Sequence, residues 1–372
     1  MPINRIMRAR HPPPRPARRA FLIGAATSLL MPDALVPALA VEDGSSDARE
    51  RAVKLLASCT AIDMHSHVGG SRSEYPKNDF ATIRAGGVAA ACMALVSDGP
   101  VIRTSGGHIA AFRKPRNGEL YANMQERLDF ADRAIATFDL RRITSVAELR
   151  ASKAEGAAGI ILATEGSDFI DGQLERLQTV HERGVRHVQL VHYRADNGAG
   201  DIQTEEPLYQ GATPLGLDIV RTCNRLGMVV DVAHATYDTV LQVARVSSTP
   251  LILSHTALAA TPGPRSRHVS GAHARLVADT GGVVGVWTNG SDFSGYPAFA
   301  RGIARMTEAI GIDHVGIGSD LNGLVRPMPF GYATYPEMVI ELSKYFNDEE
   351  LAKILGGNYV RVFERATTAP VS

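Results

Sequence analysis

His65 and His67 stand two residues apart at the end of an apolar run, Thr60 to Met64, and just before Gly69-Gly70. In an extended chain, side chains two apart share a face. Both imidazoles can therefore point at one spot before the glycines turn the chain away. Two imidazoles converging on a point suit zinc or another divalent ion. Taken alone, they are equally two polar residues at a strand edge. The rest of the chain tips the balance, because other apolar runs also end in groups that bind metals or move protons. Glu165 ends Ala163-Thr164, His192 follows Val191, His234 follows Asp231-Val232-Ala233, His255 follows Leu253-Ser254, and Asp320 follows Gly318-Ser319. The chain has 12 histidines, and five of them fall at such ends, which makes a metal centre the expectation.

The chemistry suggests roles. Two divalent ions ~3.5–4 Å apart need a bridging anion, which a carboxylate supplies. Besides Asp320, Glu165 is the carboxylate that ends a central run. One ion would take His65, His67 and Glu165, and the other Glu165, His234 and His255. A water bridging them becomes hydroxide near neutral pH. Asp320 is placed to orient it and to pass its proton to a leaving group. His192 is left as a donor for a developing oxyanion. Asp63 and Asp231, just ahead of ligands, are either partners of the imidazoles or structural hydrogen-bond acceptors.

Such groups need a scaffold that gathers distant strand ends. Eight apolar, β-branched runs read as strands: 60–65, 86–96, 157–164, 185–191, 228–233, 250–254, 282–287 and 314–318. Helical periodicity fills the intervals, near 79–85, then 119–153, 171–183, 214–226, 236–246, 271–279, 298–311 and 336–355. The runs are continuous, as in parallel strands buried on both faces. Eight β/α units in one domain, 41–372, predict a (β/α)8 TIM barrel with the site at the C-terminal strand ends. A doubly wound open sheet is the alternative, but it calls for a glycine-rich phosphate loop after the first strand, where His65-Ser66-His67 stands instead. Stretches 98–118 and 194–213 read as long loops over the barrel mouth.

Composition sets outer limits. The chain has 372 residues, 45% of them hydrophobic, with 39 basic and 39 acidic side chains. That is ample for a large core and offers no charge argument for nucleic acid or an anionic membrane as partner. The first 19 residues depart from this balance, with six arginines and no acid. Arg18-Arg19, the apolar run from Phe21 to about Leu30 and Ala38-Leu39-Ala40 resemble a twin-arginine leader over 1–40, cleaved near Ala40, implying export to the periplasm. The run is too short for a comfortable membrane span. Cys59, Cys92 and Cys223 form no CxxC pair and read as buried free thiols.

From about 50 to 365 the chain resembles the membrane (renal-type) dipeptidases, peptidase family M19, among the amidohydrolase-like barrels. The resemblance rests on Ile62-Asp63-Met64-His65, Thr164-Glu165-Gly166, Val191-His192-Tyr193, Gly227 to His234, Leu253-Ser254-His255, Gly281 to Val286, Ile317 to Gly323 and Leu355 to Phe363. It implies a binuclear zinc site on His65, His67, Glu165, His234 and His255, with His192 on the scissile carbonyl and Asp320 as acid and base. It also implies an arginine after the sixth strand that holds the substrate carboxylate; Arg267 matches best, with Arg265 as its rival, and a guanidinium suits that task. Many family members are dimers, so a homodimer is among the implied assemblies; a glycolipid anchor is not implied, since no hydrophobic tail follows Ala366. One departure stands out: the family's His-x-Asp is His-x-His here, which removes a possible second anionic ligand, leaves the site one charge more positive and should shift metal preference and water acidity.

The expectation is a hydrolase that cleaves the amide of dipeptides or related N-acyl amino acids by a metal-bound hydroxide. One alternative is a lactonase or other ester hydrolase of the same superfamily, many of which bridge their metals with a carboxylated lysine; no lysine ends the third or fourth run. The other is a non-catalytic periplasmic binding protein, against which the complete ligand set argues.

Overall fold

The computed structural model describes residues 43–69 and 79–368, so the expected leader over 1–40 lies outside the described residues. All eight runs expected as strands are strands. In chain order the strands are β1 (Ile62–Ser66), β2 (Ala90–Val96), β3 (Ile102–Ser105), β4 (His108–Ala111), β5 (Arg141–Arg142), β6 (Gly159–Glu165), β7 (Val185–Gln189), β8 (Val229–Asp231), β9 (Ile252–Thr256), β10 (Val283–Val286) and β11 (Val315–Ile317). Eight of them follow one another as β1-β2-β6-β7-β8-β9-β10-β11, parallel throughout, while short β5 pairs with the start of β6. The ring meets at a seam just past the last strand. Asp320 N donates to His65 O at 2.9 Å, His67 N donates to Leu321 O at 2.8 Å, and Ser66 and Leu321 form a parallel bridge. This is the expected TIM-barrel architecture.

The helices are α1 (Asp43–Ser58), α2 (Asp79–Ala85), α3 (Glu119–Thr137), α4 (Val146–Ala154), α5 (Glu175–Glu182), α6 (Pro214–Leu226), α7 (Tyr237–Val246), α8 (Gly271–Ala278), α9 (Tyr296–Ile310), α10 (Tyr335–Leu342), α11 (Asp348–Ala352) and α12 (Asn358–Thr367). Two apolar layers result. Ile62, Met64, Ala90, Cys92, Ile161, Ala163, Val229, Ile252 and Val283 fill the barrel, and Tyr359, Val362 and Phe363 of α12 close its floor. Alternate strand residues such as Ala91, Met93, Ile160, Leu162, Leu253 and Val284 pack outward under the helices, the alternation that a pleated strand requires.

Three segments differ from the sequence reading. The expected helix 336–355 breaks between α10 and α11, where Asn347 caps the new helix by accepting from Glu349 N and Glu350 N. The expected helix 119–153 breaks between α3 and α4. Asp139 takes a left-handed φ of 49°, Arg141–Arg142 pair with β6, and Ser145 restarts the helix by accepting from Glu148 N at 3.2 Å, an N-cap arrangement. The loop 98–118 holds the hairpin β3–β4, which turns through Gly106-Gly107, both at positive φ, as a tight hairpin demands. Near the C-terminus, Leu355 to Asn358 is a helix junction: Asn358 Nδ2 donates to Ile312 O and Val315 O and so fastens α12 under the barrel.

Candidate metal centre

Simple alternation would point His65 away from the axis, since Met64 already faces inward. The ladder between β1 and β2 slips between Asp63 and Ser66, so Ser66 pairs with outward-facing Met93. That extra residue is a bulge, and it turns both His65 and His67 inward. The same device recurs in β9, where the register shift against β10 places both Ser254 and His255 on the inner side. Glu165 needs no bulge, because it continues the inward parity of Ile161 and Ala163. His234 and Asp320 lie just past their strands and carry left-handed φ values of 68° and 54°, a cost that tertiary structure must support.

These side chains meet around one carboxylate. His65 Nε2 and His192 Nε2 lie 3.3 and 3.2 Å from Glu165 Oε1, and His234 and His255 Nε2 lie 3.5 and 3.8 Å from it. On the other oxygen, His67 Nε2 is 3.4 Å from Glu165 Oε2. Asp320 Oδ1 stands 3.3 Å from His67 Nε2 and 3.9 Å from His65 Nε2. All are buried. Three groupings can each hold an ion: His65, His67 and Asp320; His65, Glu165 and His255; Glu165, His192 and His234. Asp320 and His192 thus sit as near the candidate ion positions as the five expected ligands do.

The residues fit a divalent cation. His65 Nε2, Glu165 Oε2 and Asp320 Oδ1 are buried without a hydrogen-bond partner among the described residues, a costly state for native polar atoms. Burial, then the Arg267 charge, holds the His234 imidazole well below its usual range; burial, then His65 and Arg267, does the same for His255. Neutral imidazole is the ligating form. For Glu165 burial pushes upward, but His192, His67 and His65 outweigh it and hold the carboxyl well below its ordinary value. Burial pulls His65 down, yet Glu165 and Asp320 leave it raised.

A supporting layer, largely missed in the sequence, surrounds these groups. Asp98, at the end of β2, has Oδ1 2.6 Å from His192 Nδ1 and accepts Tyr193 N on Oδ2 at 3.1 Å. His192 is raised well above its usual range: burial opposes the proton, but Asp98 and Glu165 outweigh it. Ser254 Oγ lies 3.4 Å from His65 Nδ1 and 2.9 Å from His255 Nδ1. With both Nε2 atoms turned to the centre, its two lone pairs can accept both Nδ1–H groups. Asp231 accepts Ser254 N at 3.0 Å and meets His187 Nε2 at 3.1 Å; beyond it, His187 Nδ1 is 3.4 Å from Tyr359 Oη, which accepts Cys92 Sγ. Asp63 bonds Ser319 and Tyr332, not an imidazole ring. Of the two roles left open, Asp63 therefore takes the structural one, while Asp231 meets the His187 imidazole and holds the backbone of Ser254, whose hydroxyl stands between His65 and His255.

The rival arginines separate. Arg267 Nε donates to His234 Nδ1 at 3.1 Å, Nη2 lies 2.9 Å from His255 Nε2, Nη1 donates to Gln203 Oε1 at 3.2 Å, and the guanidinium lies 5.4 Å from the Trp287 ring centroid. Arg265 is exposed and pairs with Glu206. The three cysteines are buried and unpaired, as expected. Among the described residues no helix is long and apolar enough to cross a membrane.

A parallel barrel with imidazoles and carboxylates gathered at the C-terminal rim of its strands is an architecture of metal-dependent hydrolases. A family model described as membrane dipeptidase (peptidase family M19) matches residues 49–371, and the chain belongs to that family. Among curated proteins it is similar to the dipeptidase aclJ of Aspergillus oryzae, 30% identical over 66% of this chain and 61% of that protein. It is also similar to the dipeptidase tcpJ of Claviceps purpurea, 26% identical over 68% and 58%. The matches thus span less than two thirds of these relatives' own length. Among solved structures, an amidohydrolase from Pseudomonas aeruginosa matches with TM-score 0.70 at 21% identity, covering 85% of this chain and 98% of that one. A metallo peptidase from Rhodobacter sphaeroides, liganded with a phosphinate mimic of the dipeptide L-Ala-D-Ala, matches with TM-score 0.67 at 21% identity over 83% and 99%. These likenesses support the fold.

Proposed function

We propose that this chain is a dipeptidase that uses two divalent ions, best suited to Zn2+, to hydrolyse the amide of dipeptides or related N-acyl amino acids bearing a free carboxylate. The observation that carries the reading is the convergence of His65, His67, His192, His234 and His255 on the one carboxylate of Glu165. An imidazole-rich set with a shared carboxylate suits zinc. Ions bound there would polarise the scissile carbonyl and lower the pKa of a water.

The chain's own residues supply the rest. Glu165 is shared between a His65–His67 side and a His234–His255 side. Asp320 accepts a proton from the attacking water and returns it to the departing amine. His192, held by Asp98 through Nδ1, presents Nε2–H to the carbonyl oxygen as negative charge builds on it. Arg267, held by Gln203 and lying against Trp287, offers its fork to the free carboxylate. Ligation through His255 Nε2 would displace the Nη2 contact and free that N–H for substrate. Export through the twin-arginine-like leader belongs to the same reading, since it would deliver an already folded, metal-loaded protein.

Metal-loaded protein given a panel of dipeptides should hydrolyse them, lose activity to a chelator and regain it with added Zn2+. Protein holding its full metal content yet inert toward every dipeptide and N-acyl amino acid would overturn the reading.

A further inference from the structure

A closed ring of side chains surrounds Arg267, the guanidinium that takes the free carboxylate in the dipeptidase reading. It lies 5.4 Å from the ring centroid of Trp287. Trp287 Nε1 donates to Asp292 Oδ2 at 2.7 Å. The other oxygen, Asp292 Oδ1, stands 2.8 Å from Nε2 of His268. His268 follows Arg267 in the chain, and its carbonyl accepts from Gln203 Nε2 at 3.1 Å. Gln203 Oε1 accepts in turn from Arg267 Nη1 at 3.2 Å, which closes the ring. Thr256, at the end of β9, joins the two backbones: its carbonyl accepts from Trp287 N at 2.9 Å and its hydroxyl donates to Arg267 O at 2.8 Å.

Each link has a physical task. An indole face attracts a guanidinium more than any other aromatic ring does, so Trp287 is a platform for Arg267. The indole is buried, and a buried indole N–H needs an acceptor. Asp292 is that acceptor, and its charge strengthens the bond. Its second oxygen meets His268 and so steadies the segment that carries Arg267. Neither Trp287 nor His268 is an expected metal ligand. The carboxylate of Asp292 therefore reaches a substrate only through the fork of Arg267, and a fork grips a carboxylate well only when its plane is fixed.

We propose that Asp292 is a positioning residue that sets the preference for substrates with a free C-terminal carboxylate, by holding the indole and the segment that fix the Arg267 fork. The inference rests on the dipeptidase reading and deepens it at the carboxylate end. The test compares kcat and KM of the full metal-loaded chain on Ala-Ala and on its C-terminal amide. The unmutated protein should favour the acid by roughly tenfold or more in kcat/KM. Asp292→Ala should cut that preference by about fivefold or more, through a raised KM for the acid with kcat held, the pattern of lost uniform binding. Turnover of the amide should change by less than about twofold. Asp292→Asn keeps an acceptor for the indole N–H and should restore most of the preference. Equal rates on acid and amide in the unmutated protein, or a preference left intact in Asp292→Ala, would overturn the inference and leave the dipeptidase reading standing. So would a loss shared equally by acid and amide.

Trp287 is the single tryptophan of the chain, so its emission gives a second reading on the unmutated protein if Asp292→Ala fails to fold. A phosphinate analogue of Ala-Ala should shift that emission when its carboxylate is free, and the amidated analogue should not reproduce the shift. Equal shifts from the two, or none from either, would count against Trp287 as the platform and end the inference. No hydrolysis of any dipeptide or N-acyl amino acid by the metal-loaded protein would instead remove the dipeptidase reading, and this inference with it.

Discussion

The backbone N–H of Asp320 donates to the carbonyl of His65 at 2.9 Å. With the bond from His67 N to Leu321 O, it brings the first and last barrel strands together. The groups that close the ring therefore belong to the residues that form the centre. Their side chains are held by the same bonds that hold the fold, as a site built on rigid elements requires.

Glu165 is the test of a shared site. Glu165→Gln keeps the shape but removes the anion that four neighbouring imidazole nitrogens approach on one oxygen. Metal analysis of the purified variant should show one ion or none per chain in place of two. A variant that still holds two would rule out Glu165 as the bridge.

Asp98→Asn separates positioning from ligation. Asparagine preserves the size but weakens the 2.6 Å contact to His192 Nδ1. A fall in kcat of about 10–100-fold is expected, short of the ~10²–10³ for losing an oxyanion donor outright, with metal content unchanged. If KM rises while kcat holds, His192 serves binding and not the developing charge.

Gly323→Ala tests how closely the mouth is packed. A methyl there would come 2.0 Å from Asp320 Oδ1 and 2.4 Å from His67 Cδ2. The carboxylate must swing away, so metal affinity and kcat should both fall by about tenfold or more. The metal-free protein should melt within about 2 °C of the parent, because the flexible carboxylate end yields. Full activity with full metal would show that Asp320 works equally well from another position.

His273, on α8 and away from the centre, predicts an acid limb of stability. It is buried, its Nε2 has no hydrogen-bond partner among the described residues, and burial pushes its pKa down to about 4. The unfolded chain takes up this proton near pH 6.5 while the folded one resists until about 4. Stability is therefore fully present above about pH 6.5 and falls as pH drops toward 4, by up to ~3 kcal/mol. His273→Leu should flatten the denaturation midpoint across that window; an unchanged slope would assign the acid limb elsewhere.

Strand ends carrying His, Glu or Asp were legible because type and position coincide there, and every expected ligand lies in the cluster. The bulges of β1 and β9 were not. Alternation from Ile62 and Met64 would aim His65 outward, and only the ladder shows the slipped residue. Asp98 could have been found by the same strand-end reading, since Ser97-Asp98 follows β2, but no histidine marked that end. The break between α3 and α4 had a local cue in Ser145-Val146-Ala147-Glu148, overridden by the surrounding helical periodicity. Arg267 and Arg265 differ in sequence by two positions and in space by which one turns to His234, a choice made by Gln203 and Trp287 from distant segments.

From Tyr359, hydrogen bonds run by way of His187, Asp231 and Ser254 to the imidazoles of His65 and His255. Tyr359 lies in the last helix, so residues separated by almost the entire length of the described chain must be assembled before those rings are steadied. A chain lacking its final turns has no such anchorage, so damage to the last helix reaches rings near the opposite end of the sequence.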